Sequence, residues 1–259
     1  MNEYDTKCAA RLYFCSVLPV MESLVRQKPE FLPPNRSQQL KMKWHAYPLQ
    51  SSCTLQLGVG PNQSTNADKK PPQINFHFFS NQQIVRFFEK KWTLPPLPTA
   101  GCFLLNAMVY LKKLGDHLDH YLQPNSSMLE DDDFLRVHVL LTLEVAARAA
   151  CELVKIDSQA AELLAGTSEG LVVFSSERKS SGVWLKRTEY GLCWGHLPCR
   201  EPIHARVHFS EPKLARHALK DEIDVNAEIG KGNIELRGVA PLADTCGALF
   251  QKLSKYIHV

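Results

Sequence analysis

The chain has 259 residues, 44% of them hydrophobic, with a net charge of +3. That composition supports an ordinary globular core and argues against wholesale disorder. Lys and Arg are scattered among Asp and Glu, so no basic stripe proposes nucleic acid as a partner.

The first predicted element is a helix from about Tyr4 to Arg26, with Ala10, Tyr13, Phe14, Val17, Val20, Met21 and Leu24 at helical spacing. Pro19 inside it predicts a kink or a restart. QLKMKWHAY and CTLQLGV alternate apolar with polar residues and predict half-buried strands, and INFHFF predicts another. Between them, 60 to 73 reads as a long hairpin loop. A helix over Asn81 to Lys90, capped by Ser80, leads to WTLPPLPTAG, a proline-stiffened crossover, then to CFLL and a closing helix from about Ala107 to Leu122. QPNSSMLEDDD at 123 to 133 combines turn formers with a charge run and predicts a linker between a domain at 1–122 and a domain at 134–259.

The second part predicts a long helix from Phe134 to Lys155, a short one over SQAAELLAG, and strands at LVVFSS, GVWLKR, YGLCWGHL and IHARVHFS. A helix from Glu211 to Lys220, a strand NIELRG and a helix from Pro241 to Tyr256 complete it. The longest apolar stretch, VLLTLEVAARAACELV, is broken by Glu144, Arg148 and Glu152 and is too polar to span a bilayer. The opening MNEYDTKCAARLYF lacks the basic-then-apolar order of a signal peptide. Eight cysteines without a C-x-x-C pair read as reduced thiols and suggest a cytoplasmic protein.

The two parts form a degenerate repeat. HFFSNQQIVRFFEKK parallels VHFSEPKLARHALKD, with Ser80 and Ser210 placed 130 positions apart. Glu22 and Glu152 agree with that register. Leu111, Leu114, Leu118 and Tyr121 reappear as Cys246, Leu249, Leu253 and Tyr256, at an offset of 135. Strands bracketed by helices, without strict alternation, predict an α+β fold with largely antiparallel sheets.

Neither dense group of potential metal ligands is compelling. Asp116, His117, Asp119 and His120 fit the solvated face of a helix, and Cys193, His196, Cys199 and His204 match no common zinc spacing. No GxSxG, HExxH, Walker or GxGxxG sequence occurs, and no cofactor is predicted.

The segment Ile203 to Ile257, with Val207 to Ser210, Leu214 to Leu219, Gly232 to Gly238 and Leu242 to Leu253 in order, resembles the C-terminal half of sterol carrier protein 2-like domains. The meander from Gly170 to Pro198 is similar to that family's first strands, and the first copy resembles it more weakly. The resemblance implies a sheet of about five strands with helices on one face, enclosing an apolar tunnel for a fatty acid, acyl-CoA or sterol-like lipid. In this chain Val172, Phe174, Trp184, Trp194, Phe209, Leu214, Ile234, Leu236, Leu249 and Phe250 would line that tunnel, in a protein without enzymatic activity. Arg206, Arg216 and Arg237 would hold a head group. The same apolar residues also suit a solid core, and a ligand-free pseudodimer serving as a scaffold for a protein partner is the alternative.

Overall fold

The computed structural model describes residues 2–32, 40–57, 73–99 and 104–257, with side chains at 104–107 excepted. All but Gln73 of the loop expected at 60–73 lies outside these residues. So do Cys102 and Phe103 of the CFLL segment, whose two leucines begin a helix. The fold is α+β, and the chain divides into two compact units, Met1–His120 and Tyr121–Val259.

Unit 1 opens with α1 (Glu3–Leu12), whose first turn is capped by Asn2 accepting the Asp5 N–H. Pro19 has no N–H to give to the preceding turn, and the chain responds by widening into a π turn over Tyr13–Val17 before α2 (Val20–Gln27) restarts. The Leu18 N–H accordingly reaches back to the Tyr13 carbonyl. This helical segment, Glu3–Gln27, has the length and hydropathy to cross a bilayer, but most of it is buried. It serves as the core helix of unit 1, with Tyr13 stacked on Phe88 and Phe14 edge-on to Phe78.

The strands of unit 1 are β1 (Leu40–Ala46), β2 (Ser51–Leu57), β3 (Gln73–Phe78) and β4 (Leu97–Thr99), in the order β2-β1-β3-β4. The central pair β1–β3 is parallel and the others antiparallel, so the sheet is mixed. Within the proline stretch expected as a crossover, Leu97–Thr99 form β4, and residues 92–96 lead to it from α3 outside regular structure. Pro98 is tolerated because β4 is the edge strand and its missing N–H leaves no ladder bond unmade. Alternation puts Met42, Trp44, Ala46, Ile74, Phe76 and Phe78 into the core and sends Lys41, Lys43, His45, Asn75 and His77 to the other face. Helix α3 (Asn81–Phe88) and all but the last two residues of α4 (Leu104–Leu122) complete the unit.

Unit 2 repeats the plan with α5 (Asp132–Ile156), α6 (Ser158–Ala165), β5 (Gly170–Ser176), β6 (Gly182–Thr188), β7 (Gly191–His196), β8 (Ala205–Phe209), α7 (Pro212–Leu219), α8 (Val225–Gly230), β9 (Ile234–Gly238) and α9 (Ala240–Leu253). The segment 123–133 lies inside this unit, where Asp131 caps α5. The sheet order β7-β6-β5-β8-β9 again has one parallel pair, β5–β8. Sequence reading misses α8, whose six residues are too few for a periodic signal.

The repeat holds in backbone detail, with a corrected register. Ser80 caps α3, but the matching cap of α7 is Glu211, 131 positions later, and Ser210 lies outside the helix. At this offset the helix ends coincide bond for bond. The Lys90 N–H bonds Phe87 O and the Lys91 N–H bonds Arg86 O, as Asp221 bonds Ala218 O and Glu222 bonds His217 O. Lys90 and Asp221 both adopt the left-handed conformation that ends a helix this way, with φ of 54° and 56°. The first helices match at 129, from the caps Asn2 and Asp131 to the last residues Gln27 and Ile156. Glu22 therefore aligns with Cys151 and not with Glu152. The closing-helix residues Leu111, Leu114, Leu118 and Tyr121, like Cys246, Leu249, Leu253 and Tyr256, are all buried.

Candidate functional site

Strand register decides which of the expected lipid-lining residues can meet. Trp194 pairs with Leu185, Leu185 with Val172, Phe174 with Val207, Val207 with Leu236, and Phe209 with Ile234. These side chains therefore share one face. Helices α5 and α9 cover it: the Arg148 guanidinium sits 4.2 Å over the Trp194 ring, and Phe174 packs 5.1 Å from Phe250. Val172, Ile234 and Leu249 are buried there, while Leu214 on α7, Leu236, Trp194 and Phe250 are half-buried.

Trp184 does not belong to this set. It pairs with Val173 and points to the opposite face, where its ring lies against Gly195 and its Nε1–H donates to the His196 carbonyl at 3.0 Å. A Cβ at position 195 would stand 2.3 Å from the indole, so the glycine makes room for the ring. The head-group arginines need the same correction. Arg206 and Arg237 are cross-strand partners on the Trp184 face, away from the apolar layer, and Arg237 is ion-paired with Glu235. Arg216 on α7 is engaged by Glu222 at 3.2 Å.

A cleft of about 370 Å³ does exist in unit 2, but elsewhere. Val154 and Lys155 of α5, Ala161 and Leu164 of α6, and Arg187 and Leu192 of the β6–β7 hairpin line it. Arg187 at its wall spends its donors on the Leu164 and Thr188 carbonyls. None of the ten expected residues lines it.

The buried Glu144, His138 and Asp157 of unit 2 are held by structural partners. The buried Glu144 carboxylate accepts from Arg148 at 2.9 Å and faces His196 at 3.5 Å. Burial pushes His138 down to about 4, against the opposing effect of its Nδ1–H bond to the Tyr121 carbonyl. Burial alone would raise Asp157, but bonds from the Tyr256 hydroxyl and the Ala160 N–H, together with the Lys252 charge, hold it below its ordinary value. Burial raises the Cys151 and Cys246 thiols to about 12, which makes them poor nucleophiles. Among the described residues no group of three His, Cys, Asp or Glu is placed to hold a metal. His117 of the closing helix instead stacks on Phe31 at 4.0 Å, and its neighbour Asp119 pairs with Lys90.

Unit 1 carries a surface that periodicity alone did not single out. On its non-core sheet face His45 stacks on His77 at 5.0 Å, His77 on Tyr47 at 5.6 Å, and Tyr47 on Phe79 at 5.5 Å. The Tyr47 hydroxyl and His77 Nδ1 are 3.0 Å apart, and His77 Nε2 meets the Thr99 hydroxyl at 2.8 Å, so the rings are held in place. Leu97 pairs with His77 on the same face. Tyr47, Phe79 and Leu97 are 55%, 58% and 55% exposed. The corresponding positions of unit 2 are Glu177, Ser210 and Glu235, with Glu177 held by Arg136 and Glu235 by Lys179. Aromatic and aliphatic side chains in unit 1 thus stand where unit 2 has polar ones. The signal available in sequence was this replacement, visible only once the strands of the two units are matched, at offsets of 130 for Tyr47, 131 for Phe79 and 138 for Leu97. No protein-family model and no curated protein matches the chain.

Proposed function

We propose that the protein is a non-enzymatic interaction module, a tandem of two degenerate sterol carrier-like units that presents the sheet face of unit 1 to a protein partner. One observation carries this reading: Tyr47 stacks on Phe79, Leu97 stands opposite His77 on the same face, and all three are more than half exposed at positions where the sister unit is polar. Soluble domains rarely leave such residues contiguous without use, and aromatic residues dominate interface hot spots. Seven described cysteines are free thiols, which fits a reducing compartment. The test is a photo-crosslinking amino acid placed at Leu97 in cells. Crosslinks to one protein, lost when Phe79 is replaced by Ser, are expected; their absence overturns the reading.

A second reading, sequestration of a lipid by unit 2, is favoured by the cleft between α5, α6 and the β6–β7 hairpin. Its volume falls in the usual ligand range, and the cation at its edge, Lys155, is ion-paired with Glu152 at 2.6 Å. The complete burial of Leu249 and Val172 weighs against the tunnel that the resemblance implies. Native mass spectrometry of protein purified from cells separates the two readings, since a carrier retains a co-purified lipid and an interaction module is lipid-free.

A further inference from the structure

We propose that the exposed sheet face of unit 1 docks an extended, acidic peptide segment of a partner protein through one large apolar anchor. This rests on the interaction reading above and specifies the chemistry of its partner. The anchor end is the patch of Tyr47, Phe79 and Leu97. Leu94 belongs to it, because Gln83 accepts the Phe79 N–H through Oε1 and donates through Nε2 to the Leu94 and Pro95 carbonyls, fixing that loop beside Phe79. Leu94 is exposed, as is Trp92 two residues before it.

The acidic requirement comes from the other end of the same face. None of β1 to β4 contains Asp or Glu, and Lys41 and Lys43 lie on this face. Among the described residues neither lysine takes part in an ion pair, whereas Lys179 and Lys186 of unit 2 each have a carboxylate. Tyr47 lies four residues beyond Lys43 and six beyond Lys41, so the lysines are roughly 13 and 20 Å from the anchor along an extended chain. A strand-like peptide with its apolar residue on Phe79 would bring carboxylates four to six residues away opposite them.

Geometry disfavours two other occupants. The rings of His45, His77, Tyr47 and Phe79 are close to parallel and already cover one another, with interplanar angles of 7° to 24°. A nucleic-acid base would find only the end rings of this stack, His45 and Phe79, to lie on, unlike a platform of outward-facing rings. A second copy laid face to face with its strands in the same direction would bring lysine against lysine, and with its strands reversed would leave Lys41 and Lys43 without a carboxylate.

The experiment is a selection of random peptides of about 16 residues displayed on phage, using the full chain as bait and Phe79→Ser protein for counter-selection. Enrichment of sequences with one large apolar residue and carboxylates four to six positions away is expected. A synthetic peptide of that sequence should bind at least tenfold more weakly to Phe79→Ser and to Lys41→Glu/Lys43→Glu, and more weakly as salt is raised. Both variants change partly or fully exposed side chains, and unchanged circular dichroism and melting confirm their folding, with Tyr47→Ser as a further variant. Peptides lacking carboxylates, or indifference to the lysine pair, overturn the proposal. So does binding of an oligothymidylate that is lost in these variants, or a dimer that Phe79→Ser dissolves. Crosslinks in cells without acidic selection would remove the chemistry proposed here and leave the interaction reading standing; no crosslinks would remove both.

Discussion

The Tyr256 hydroxyl donates a 2.7 Å hydrogen bond to Asp157 Oδ2, tying the end of unit 2 to the residue that caps α6, 99 positions earlier in the chain. The other carboxylate oxygen accepts the Ala160 N–H at 2.8 Å and faces Lys252 at 3.5 Å. Removing the hydroxyl in Tyr256→Phe leaves a buried carboxylate short of one charge-assisted bond, at a cost of about 1.5 to 3 kcal/mol. Urea unfolding of the variant checks this. Because the folded state holds Asp157 below its ordinary value, the contribution is present at neutral pH and is lost as pH falls through the folded value, so the variant and the parent converge in acid.

His138 should give unit 2 a pH dependence of its own. Its folded value of about 4 lies below the ordinary 6.5, so between these values the unfolded chain binds the extra proton. Stability is full above 6.5 and falls as pH drops toward 4, by about 3 kcal/mol in total. His138→Asn, whose amide can still donate to the Tyr121 carbonyl, should flatten that part of the profile. Denaturant midpoints measured from pH 7 to pH 4 provide the check.

Leu249, on the inward side of α9, is fully buried. With the layer packed around Val172 and Phe174, Leu249→Ala should cost about 2 to 5 kcal/mol. A much smaller loss in lipid-free protein, together with a change in fatty-acid affinity, would point back to an open tunnel.

Gly238 ends β9 at φ 90°, and a Cβ there would lie 2.0 Å from the His204 carbonyl oxygen. Gly238→Ala combines left-handed strain, of order 1 to 3 kcal/mol, with a backbone clash, and should release the β8–β9 edge. Faster amide exchange over residues 205–209 and 234–238, with β5–β6 amides still protected, is the expected signature.

Alternation made the strands legible. LKMKWHA and ARVHF each send every second residue inward, and the observed burial follows that pattern. Which face a tryptophan occupies was not legible, because it depends on hairpin register: Trp184 and Trp194 sit on adjacent strands and point to opposite faces. The repeat was visible, but Ser80 and Ser210 share an identity without sharing a role, and only the backbone bonds place the cap at Glu211. β4 was hidden by Pro98, which a central strand could not carry and an edge strand can. The aromatic face of unit 1 escaped notice for a related reason: His45, Tyr47, His77 and Phe79 come from separate segments and meet only through the parallel register of β1 and β3.

That parallel pair also shapes how the protein is made. On the ribosome the β1–β2 hairpin emerges as a unit, but the flank of β1 bearing Met42 and Trp44 has no neighbour until Ile74 and Phe76 arrive about 30 residues later. At ordinary elongation rates this lasts on the order of a few seconds. Unit 2 repeats the interval, since β5 waits for β8 while β6 and β7 are synthesised. A nascent chain of this design therefore exposes an apolar strand edge twice, and its yield in cells should respond to chaperone supply more than the equilibrium stability of the finished protein would suggest.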